Sequence, residues 1–519
     1  MSASADTIPG AAKATAQRIP DAIALIAGGR QWTFAELYRD AREAASAFIA
    51  HGIGKGDVVG IWAPNLREWI LATLGAQMAG AAITPLNTRL KGIEAGDILR
   101  RSRAKILVTI DSFLGFDYPA MIAKEDLPDL RKTIRIGARG PDGWDAFLAS
   151  GKGPNDPAVD AAEAQVTPDD ISDILFTSGT TGAPKGVLHT HGSVVPNFRN
   201  WAHHVDLREG DRYLIVNPFF HTFGYKAGWS VCLTMGATIL PMATFDVEAL
   251  ADMIEREKIS FLPGPPTIYQ SLLQGLAGQK RDFSALRVAV TGAAPVPPVL
   301  VERMRSELGM ENVVNGYGMT ECGAIAMTCQ GDSAETVANT CGCAVPGIEM
   351  KCVDDAGREL PPGETGEICV RGRAVMKGYL DNPQATAEAI DAEGWLHTGD
   401  VGTLDERGYL RITDRKKDMY ISGGFNCYPA EIEKLLAAHP AIEIAAVIGV
   451  PDERMGEVGK AFIVLRPGQS ADPTGIIAWA RENMANYKVP RSVNIVTDLP
   501  RNAGGKILRT ELRALEQQN

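Results

Sequence analysis

The chain has 519 residues, of which 45% are hydrophobic and 22% charged, and its formal net charge is -11. That length calls for more than one domain and permits large cores. The acidic balance argues against nucleic acid and an anionic membrane surface as partners of the whole molecule, so an anionic ligand needs a local basic site. Residues 1–20 carry Lys13 and Arg18 but no apolar block of signal-peptide length. The longest uncharged run, 69–87, contains Gly75, Gln77, Gly80 and Pro85 and reads as a buried helix followed by a strand, not a membrane span. The expectation is a cytoplasmic protein with no integral membrane segment. Eight cysteines are scattered along it. Only Cys341 and Cys343 are close, and no second pair or histidine neighbour completes a zinc pattern, so reduced thiols are expected.

In chain order, Thr33-Phe34-Ala35-Glu36 is a capping box, and Leu37, Ala41, Ala44, Ala45, Phe48 and Ile49 form an apolar stripe behind it that ends at Gly52. Residues 58–61 and 106–108 read as buried strands, and this alternation of helical stripes with short β-rich runs is α/β. Residues 115–167 are rich in Gly, Pro, Ala and Asp and are expected to be surface loops. A buried strand at 174–176 then runs into Thr177-Ser178-Gly179-Thr180-Thr181-Gly182-Ala183-Pro184-Lys185-Gly186. This run has no bulky apolar side chain to pack. Its glycines, hydroxyls and single lysine suit an anion, and it reads as a triphosphate cradle. It is not a Walker A loop, because Gly-Lys-Ser/Thr is missing at the required offset, and 187–191 alternates like a second strand.

Further on, Asn217-Pro218-Phe219-Phe220-His221-Thr222-Phe223-Gly224 sets a histidine in an aromatic cluster, where a packed core role and a functional one are both open. Residues 288–295, with Gly292 and Ala293, and residues 313–321, with Asn315, Gly316 and Tyr317, read as strands running into tight turns. Ligands gather at such strand ends in open α/β sheets. Small residues there admit a flat purine, Tyr317 can stack on it, and Thr320 can donate to phosphate. Glu321 reads as a Mg²⁺ ligand beside a polyphosphate or as a helix N-terminal acid. Asp400, after Thr398-Gly399, is a turn former or a two-oxygen acceptor. After the charged run Asp414-Arg415-Lys416-Lys417-Asp418, helical and strand patterns form an α+β module of about 100 residues. It ends in Pro500-Arg501-Asn502-Ala503-Gly504-Gly505-Lys506-Ile507-Leu508-Arg509.

Taken in order, these stretches resemble the adenylate-forming superfamily: acyl-CoA synthetases, adenylation domains and beetle luciferases. The likeness implies a large α/β domain with a β-rich subdomain over 1–416 and a small mobile α+β domain over 417–519, hinged at Lys417. It implies ATP, coenzyme A and Mg²⁺. The phosphate clamp would be Thr177, Ser178, Gly179, Thr180, Thr181 and Lys185, with Glu321 and Thr181 on the metal. Gly292, Ala293, Asn315, Gly316, Tyr317 and Thr320 would form the adenine and phosphate wall. Asp400 would hold the ribose, with Ile412 and Arg415 close to the nucleotide. Ser422, Gly423 and Gly424 would belong to the thiol tunnel. His221 would gate the acyl pocket, and Lys506 would be the catalytic lysine of adenylate formation, which fits the need for a mobile cation between two anions.

Two departures stand out. Phe425 replaces the acidic residue common after the glycine pair, and Lys417 stands where other branches carry aspartate. The implied reaction is a two-step ligation of a carboxylic acid to coenzyme A through an acyl-adenylate. Loading of a separate carrier protein and a catalytically silent nucleotide binder remain alternatives, and a homodimer is left open. Phe219, Phe220, His221, Phe223, Tyr225, Trp229 and the small residues at 292–294 suggest an apolar pocket without a charge for a second carboxylate. Residues 217–228 and 262–273 look like the actinobacterial ligases that activate propanoate side chains on steroid ring remnants. A cyclic or medium-to-long aliphatic acid is therefore expected.

Overall fold

Every residue of Val58–Trp62 is buried, as a strand must be when helices cover both faces of its sheet. The computed structural model describes the chain except at residues 1–5, 178–183, 276–277, 293–295, 416–417, 423–424, 453–454, 485, 487, 502–506 and 518–519. The chain divides into two units, one of residues 1–349 and 370–396 and one of residues 350–369 and 397–519.

The first unit contains two large sheets. A seven-stranded sheet runs, edge to edge, through Gly378–Tyr379, Lys185–Thr190, Ile171–Thr177, Ala82–Pro85, Val58–Trp62, Ile106–Ile110 and Lys132–Ile136. A nine-stranded sheet begins at Cys343–Ala344 and continues through Gly323–Met327, Asn312–Met319 and Val288–Gly292. Its inner strands from Arg212–Ile215 to Asn312–Met319 pair in parallel, and the expected α/β class is what the chain adopts.

The helix Phe34–Ala50 starts on the expected capping box, with Glu36 N–H donating to Thr33 Oγ1 at 3.1 Å and Thr33 N–H donating to Glu36 Oε2 at 2.9 Å. Its stripe of Leu37, Ala41, Ala44, Ala45 and Phe48 is buried. Gly75 does not interrupt the helix Arg67–Met78. A Cβ there would come within 2.8 Å of Ala44 Cβ, so the glycine lets two helices approach closely.

The expectation of surface loops over 115–167 is corrected. Lys132–Ile136 is a strand of the seven-stranded sheet, and Tyr118–Ile122, Trp144–Ala149 and Pro157–Glu163 are helices anchored by buried Tyr118, Trp144, Phe147 and Val159. Each element is too short to repeat an apolar period, which is why composition dominated the sequence pattern. The N-terminal helix Ile8–Arg18 and the C-terminal helix Arg509–Gln517 were also not anticipated.

In the second unit, a five-stranded sheet is built on the hairpin of Ile442–Asp452 and Gly456–Leu465, with Ser492–Ile495 joined in parallel. Its core includes Tyr420, Ile432, Leu436, Val447, Ile463 and Ile476, all buried. The helices Pro429–Leu436 and Pro473–Asn483 supply the helical part of the expected α+β module. Among the described residues, no helix is long and apolar enough to cross a membrane.

Candidate active site

Strands Ile171–Thr177 and Lys185–Thr190 form an antiparallel pair with Thr177 opposite Lys185, and Thr177 Oγ1 donates to the Lys185 carbonyl at 3.4 Å. Ser178, Gly179, Thr180 and Thr181 lie outside the described residues, and the residues on either side of them are held in place. Arg101 donates to the Pro184 carbonyl at 2.6 Å and stacks over Phe176 at 5.1 Å.

Lys185 Nζ stands 4.9 Å from the centre of the Tyr379 ring, and Tyr379 OH donates to Glu321 Oε1 at 3.0 Å. Burial first, and then the charge of Glu321, push the Tyr379 hydroxyl pKa well up, so it stays protonated and remains a donor. Tyr379 therefore links the lysine of the loop to the acid proposed for the metal. Sequence reasoning missed it because Gly378–Tyr379 is a two-residue edge strand with no motif of its own.

Parallel pairing sets Thr291 beside Asn315 and Gly292 beside Gly316. A Cβ on Gly292 would lie 2.6 Å from the Gly316 carbonyl oxygen, and one on Gly316 would collide with Met327 Sδ. The two glycines let the ends of the neighbouring strands approach closely. Asn315 Nδ2 donates to the carbonyls of Val337 and Thr340 at 3.1 and 2.9 Å, so its amide nitrogen is spent on the protein frame. Ala293 lies outside the described residues.

Asn312–Met319 runs on as a strand through Gly316, Tyr317 and Gly318, where a turn was expected. The turn comes at Thr320, Glu321 and Cys322 and leads into Gly323–Met327, with Gly323 at φ +77°. Glu321 thus sits in a β-hairpin turn, which removes the alternative of a helix N-terminal acid.

Beneath that turn is a buried polar chain. His189 Nε2 lies 2.5 Å from the Thr320 carbonyl, which can only accept, so this nitrogen carries the proton. Lys226 Nζ pairs with Asp173 Oδ1 at 2.9 Å, the two side chains being 1% and 0% exposed. Ser172 Oγ donates to the other Asp173 oxygen at 2.7 Å, and Gln77 Nε2 donates to the Tyr225 hydroxyl at 2.9 Å. Burial lowers the Lys226 pKa and Asp173 opposes that shift.

Lys226 belongs to the π-helical turn Tyr225–Ser230, directly after the short helix Thr222–Gly224 that His221 caps. Its charge is met by Asp173 inside the protein. His221 accepts from Phe223 N–H at 3.2 Å and is exposed, yet desolvation lowers its pKa. The aromatic reading is corrected in part: Phe219, Tyr225 and Trp229 are fully buried and pack against Trp69, with ring centres 5.5, 5.7 and 5.8 Å away. They are core residues, and Phe220 and Phe223, both half-buried, lie nearer the surface.

In the second unit, Leu396–Leu404 pairs with Leu410–Arg415 so that Asp400 lies opposite Arg415. Asp400 is in a strand, not a turn, and is 5% exposed; Ile412 is 36% exposed and faces Gly402 in the register. Ser422 is buried and pairs with Gly456. Lys417, Gly423, Gly424 and Lys506 lie outside the described residues.

The residues that flank Lys417 and Lys506 are joined by hydrogen bonds and ion pairs. Arg501 and Ile507, on either side of residues 502–506, form an antiparallel bridge, and Leu508 N–H donates to the Pro500 carbonyl at 2.8 Å. Arg509 makes a two-pronged contact to Glu433 at 2.9 and 2.8 Å and reaches Asp418 at 3.3 Å. Arg513 also reaches Asp418 at 3.3 Å. The residue after Lys417 is thereby tied to the helix that follows Lys506. Sequence reading took Asp418 as part of a charged run, because nothing local reveals a partner about 90 residues away.

A family described as AMP-binding enzyme matches residues 12–380, and its C-terminal domain matches residues 431–506. A Mycobacterium tuberculosis (strain ATCC 25618 / H37Rv) protein, 3-[(3aS,4S,7aS)-7a-methyl-1,5-dioxo-octahydro-1H-inden-4-yl]propanoyl:CoA ligase, is 51% identical over 98% of this chain and 99% of its own. A Rhodococcus jostii (strain RHA1) ligase of the same name is 47% identical over 98% of both. Among solved structures, the anthranilate CoA ligase AuaEII in complex with anthranoyl-AMP superposes with a TM-score of 0.86 at 28% identity, over 98% of this chain and 97% of that one. The chain belongs to the AMP-binding enzyme family, in its branch of AMP-forming acid–CoA ligases.

Proposed function

We propose that this ligase activates an apolar, ring-bearing propanoate derived from steroid breakdown, with medium- or long-chain aliphatic acids as the broader class. The observation that supports this most is the whole-length similarity, at 51% and 47% identity, to two ligases named for an indane-ring propanoate. The buried aromatic residues Phe219, Tyr225 and Trp229 beside His221, with the charge of the adjoining Lys226 met by Asp173, support an uncharged ring system as the substrate.

In the first step a carboxylate oxygen attacks the α-phosphorus of ATP, the bond from that phosphorus to the bridging oxygen breaks, and pyrophosphate leaves with the electron pair. In the second, the sulfur of coenzyme A attacks the acyl carbon and AMP leaves. Thr177, Ser178, Gly179, Thr180, Thr181 and Lys185 clamp the β- and γ-phosphates. Gly292, Ala293, Asn315, Gly316 and Tyr317 wall the adenine. Thr320 donates to phosphate. Asp400 takes the ribose hydroxyls, with Ile412 and Arg415 beside the nucleotide.

Glu321, a half-buried carboxylate already oriented by Tyr379, suits a hard cation. With Thr181 it would hold Mg²⁺, which supplies neutralising charge to the polyphosphate. Lys506 stabilises the charge developing at the α-phosphate. The domain boundary lies at Lys417, about which residues 417–519 turn between the two steps so that Ser422, Gly423 and Gly424 line the path of the thiol. The enzyme is cytoplasmic in this reading.

The test is AMP release over a panel of carboxylic acids, each with and without coenzyme A. The expected result is turnover that needs coenzyme A and is fastest with the cyclic propanoates. Preference for a charged diacid would overturn the substrate assignment. Adenylate formation with every acid but no thioester to coenzyme A would instead point to a carrier protein as the acceptor.

A further inference from the structure

Away from the nucleotide and acyl regions, three side chains from separate elements converge at one edge of the nine-stranded sheet. His204 ends the helix His191–His204, Cys329 follows the strand Gly323–Met327, and Cys343 opens the edge strand Cys343–Ala344. One ring nitrogen and the two sulfurs all lie within 4.8 Å of one another, and none of the three residues is fully buried. The sulfurs are 3.8 Å apart. Two thiolates on a tetrahedral zinc, each about 2.3 Å from the ion, stand about 3.8 Å from each other.

His204 Nε2 lies 3.1 Å from the Thr328 carbonyl. A carbonyl only accepts, so Nε2 carries the proton and Nδ1 keeps its lone pair, the arrangement that fixes a metal-binding histidine in its tautomer. The Asp332 carboxylate accepts from Cys329 N–H at 2.8 Å and adds negative charge to the surroundings.

We propose that His204, Cys329 and Cys343 form a site for a soft divalent cation, Zn²⁺ by ligand type, with its fourth position open to water. Two sulfurs and an imidazole select zinc over magnesium or calcium. The ion would staple a two-residue edge strand, which has little pairing of its own. The staple borders the nucleotide wall: Asn315 N–H donates to Thr328 Oγ1 at 2.8 Å, Thr328 N–H donates to the Asn315 carbonyl at 2.9 Å, and Met327 pairs with Cys343. The site is independent of the identity of the acid.

The test uses the full chain, stripped with a chelator, given one equivalent of Zn²⁺ or Co²⁺ under reducing conditions, and desalted. Wild type is expected to retain about one ion per chain, to show thiolate-to-cobalt charge-transfer absorption, and to melt at a higher temperature with zinc than without. Cys329→Ser and Cys343→Ser should bind at least 10-fold more weakly and lose both the band and the shift. Wild-type cobalt protein lacking the thiolate band would overturn the proposal without reference to any variant. So would equal zinc retention by the double serine variant, or a Cys329–Cys343 disulfide in freshly isolated protein.

Discussion

At the scale of single residues, Tyr379 shows how one side chain can serve two charged groups, with its ring under Lys185 and its hydroxyl on Glu321. Tyr379→Phe keeps the ring and deletes the donor. Removing an outer-shell partner of a metal ligand costs roughly 10- to 100-fold, so a magnesium titration of turnover should shift to higher concentration by about that factor. An unchanged titration would separate Tyr379 from metal binding. Lys506→Ala should slow acid-dependent ATP–pyrophosphate exchange by roughly 10² to 10³, the usual loss for a donor aimed at developing charge. Lys226 carries a different expectation. Lys226→Met leaves Asp173 as an uncompensated buried charge, which costs about 3–5 kcal/mol, whereas exchanging both partners for apolar residues of similar volume is far milder. Thermal melts of Lys226→Met and of Lys226→Met with Asp173→Leu should therefore differ, with the double variant the more stable.

At the scale of elements, the strand Lys185–Thr190 and the helix His191–His204 meet at two buried histidines. Burial is the main force holding His189 and His191 down at about 4, and for His189 the charge of Lys226 adds to it. Both values lie below the ordinary imidazole range near 6.5. The unfolded chain therefore binds protons that the native chain refuses, and stability falls as pH drops from about 6.5 towards 4. By pH 5 each group accounts for a loss of about 2 kcal/mol. Melting temperatures at pH 7 and pH 5 should fall accordingly, and His191→Gln should flatten the slope. A flat wild-type profile would contradict the burial argument.

Long amphipathic helices such as Phe34–Ala50 and the buried strands were legible in the sequence because burial imposes a period on five or more successive residues. The short elements at 116–163 were not, since a helix of one or two turns shows too few apolar positions to repeat. The strand through Tyr317 was misread as a turn because Gly316 and Gly318 look like turn residues. In the structure, a Cβ at either position would strike a neighbouring strand.

At the scale of the whole molecule, the proposed hinge is the sharpest target. Proline fixes φ near -65°, so Lys417→Pro should leave pyrophosphate exchange near normal while thioester formation drops at least 10-fold. Equal losses in both half-reactions would refute a hinge at that position. Sequence alone determined the α/β class, the order of the motifs and the family they resemble, because phosphate cradles and strand-end glycines need particular residue types at fixed local spacing. It named Lys185, Glu321 and Asp400 without their neighbours. Only the tertiary structure put Tyr379 beside Glu321, Asp173 under Lys226, and Arg509 on Glu433. The cysteines make the same contrast. Read along the chain, Cys341 and Cys343 had no zinc pattern to complete, whereas in the folded sheet Cys343 meets Cys329 and His204. The physical reason is common to all of these: a charge, a hydroxyl or a thiol is satisfied by whatever the fold brings within about 3–4 Å, and sequence separation sets no limit on that.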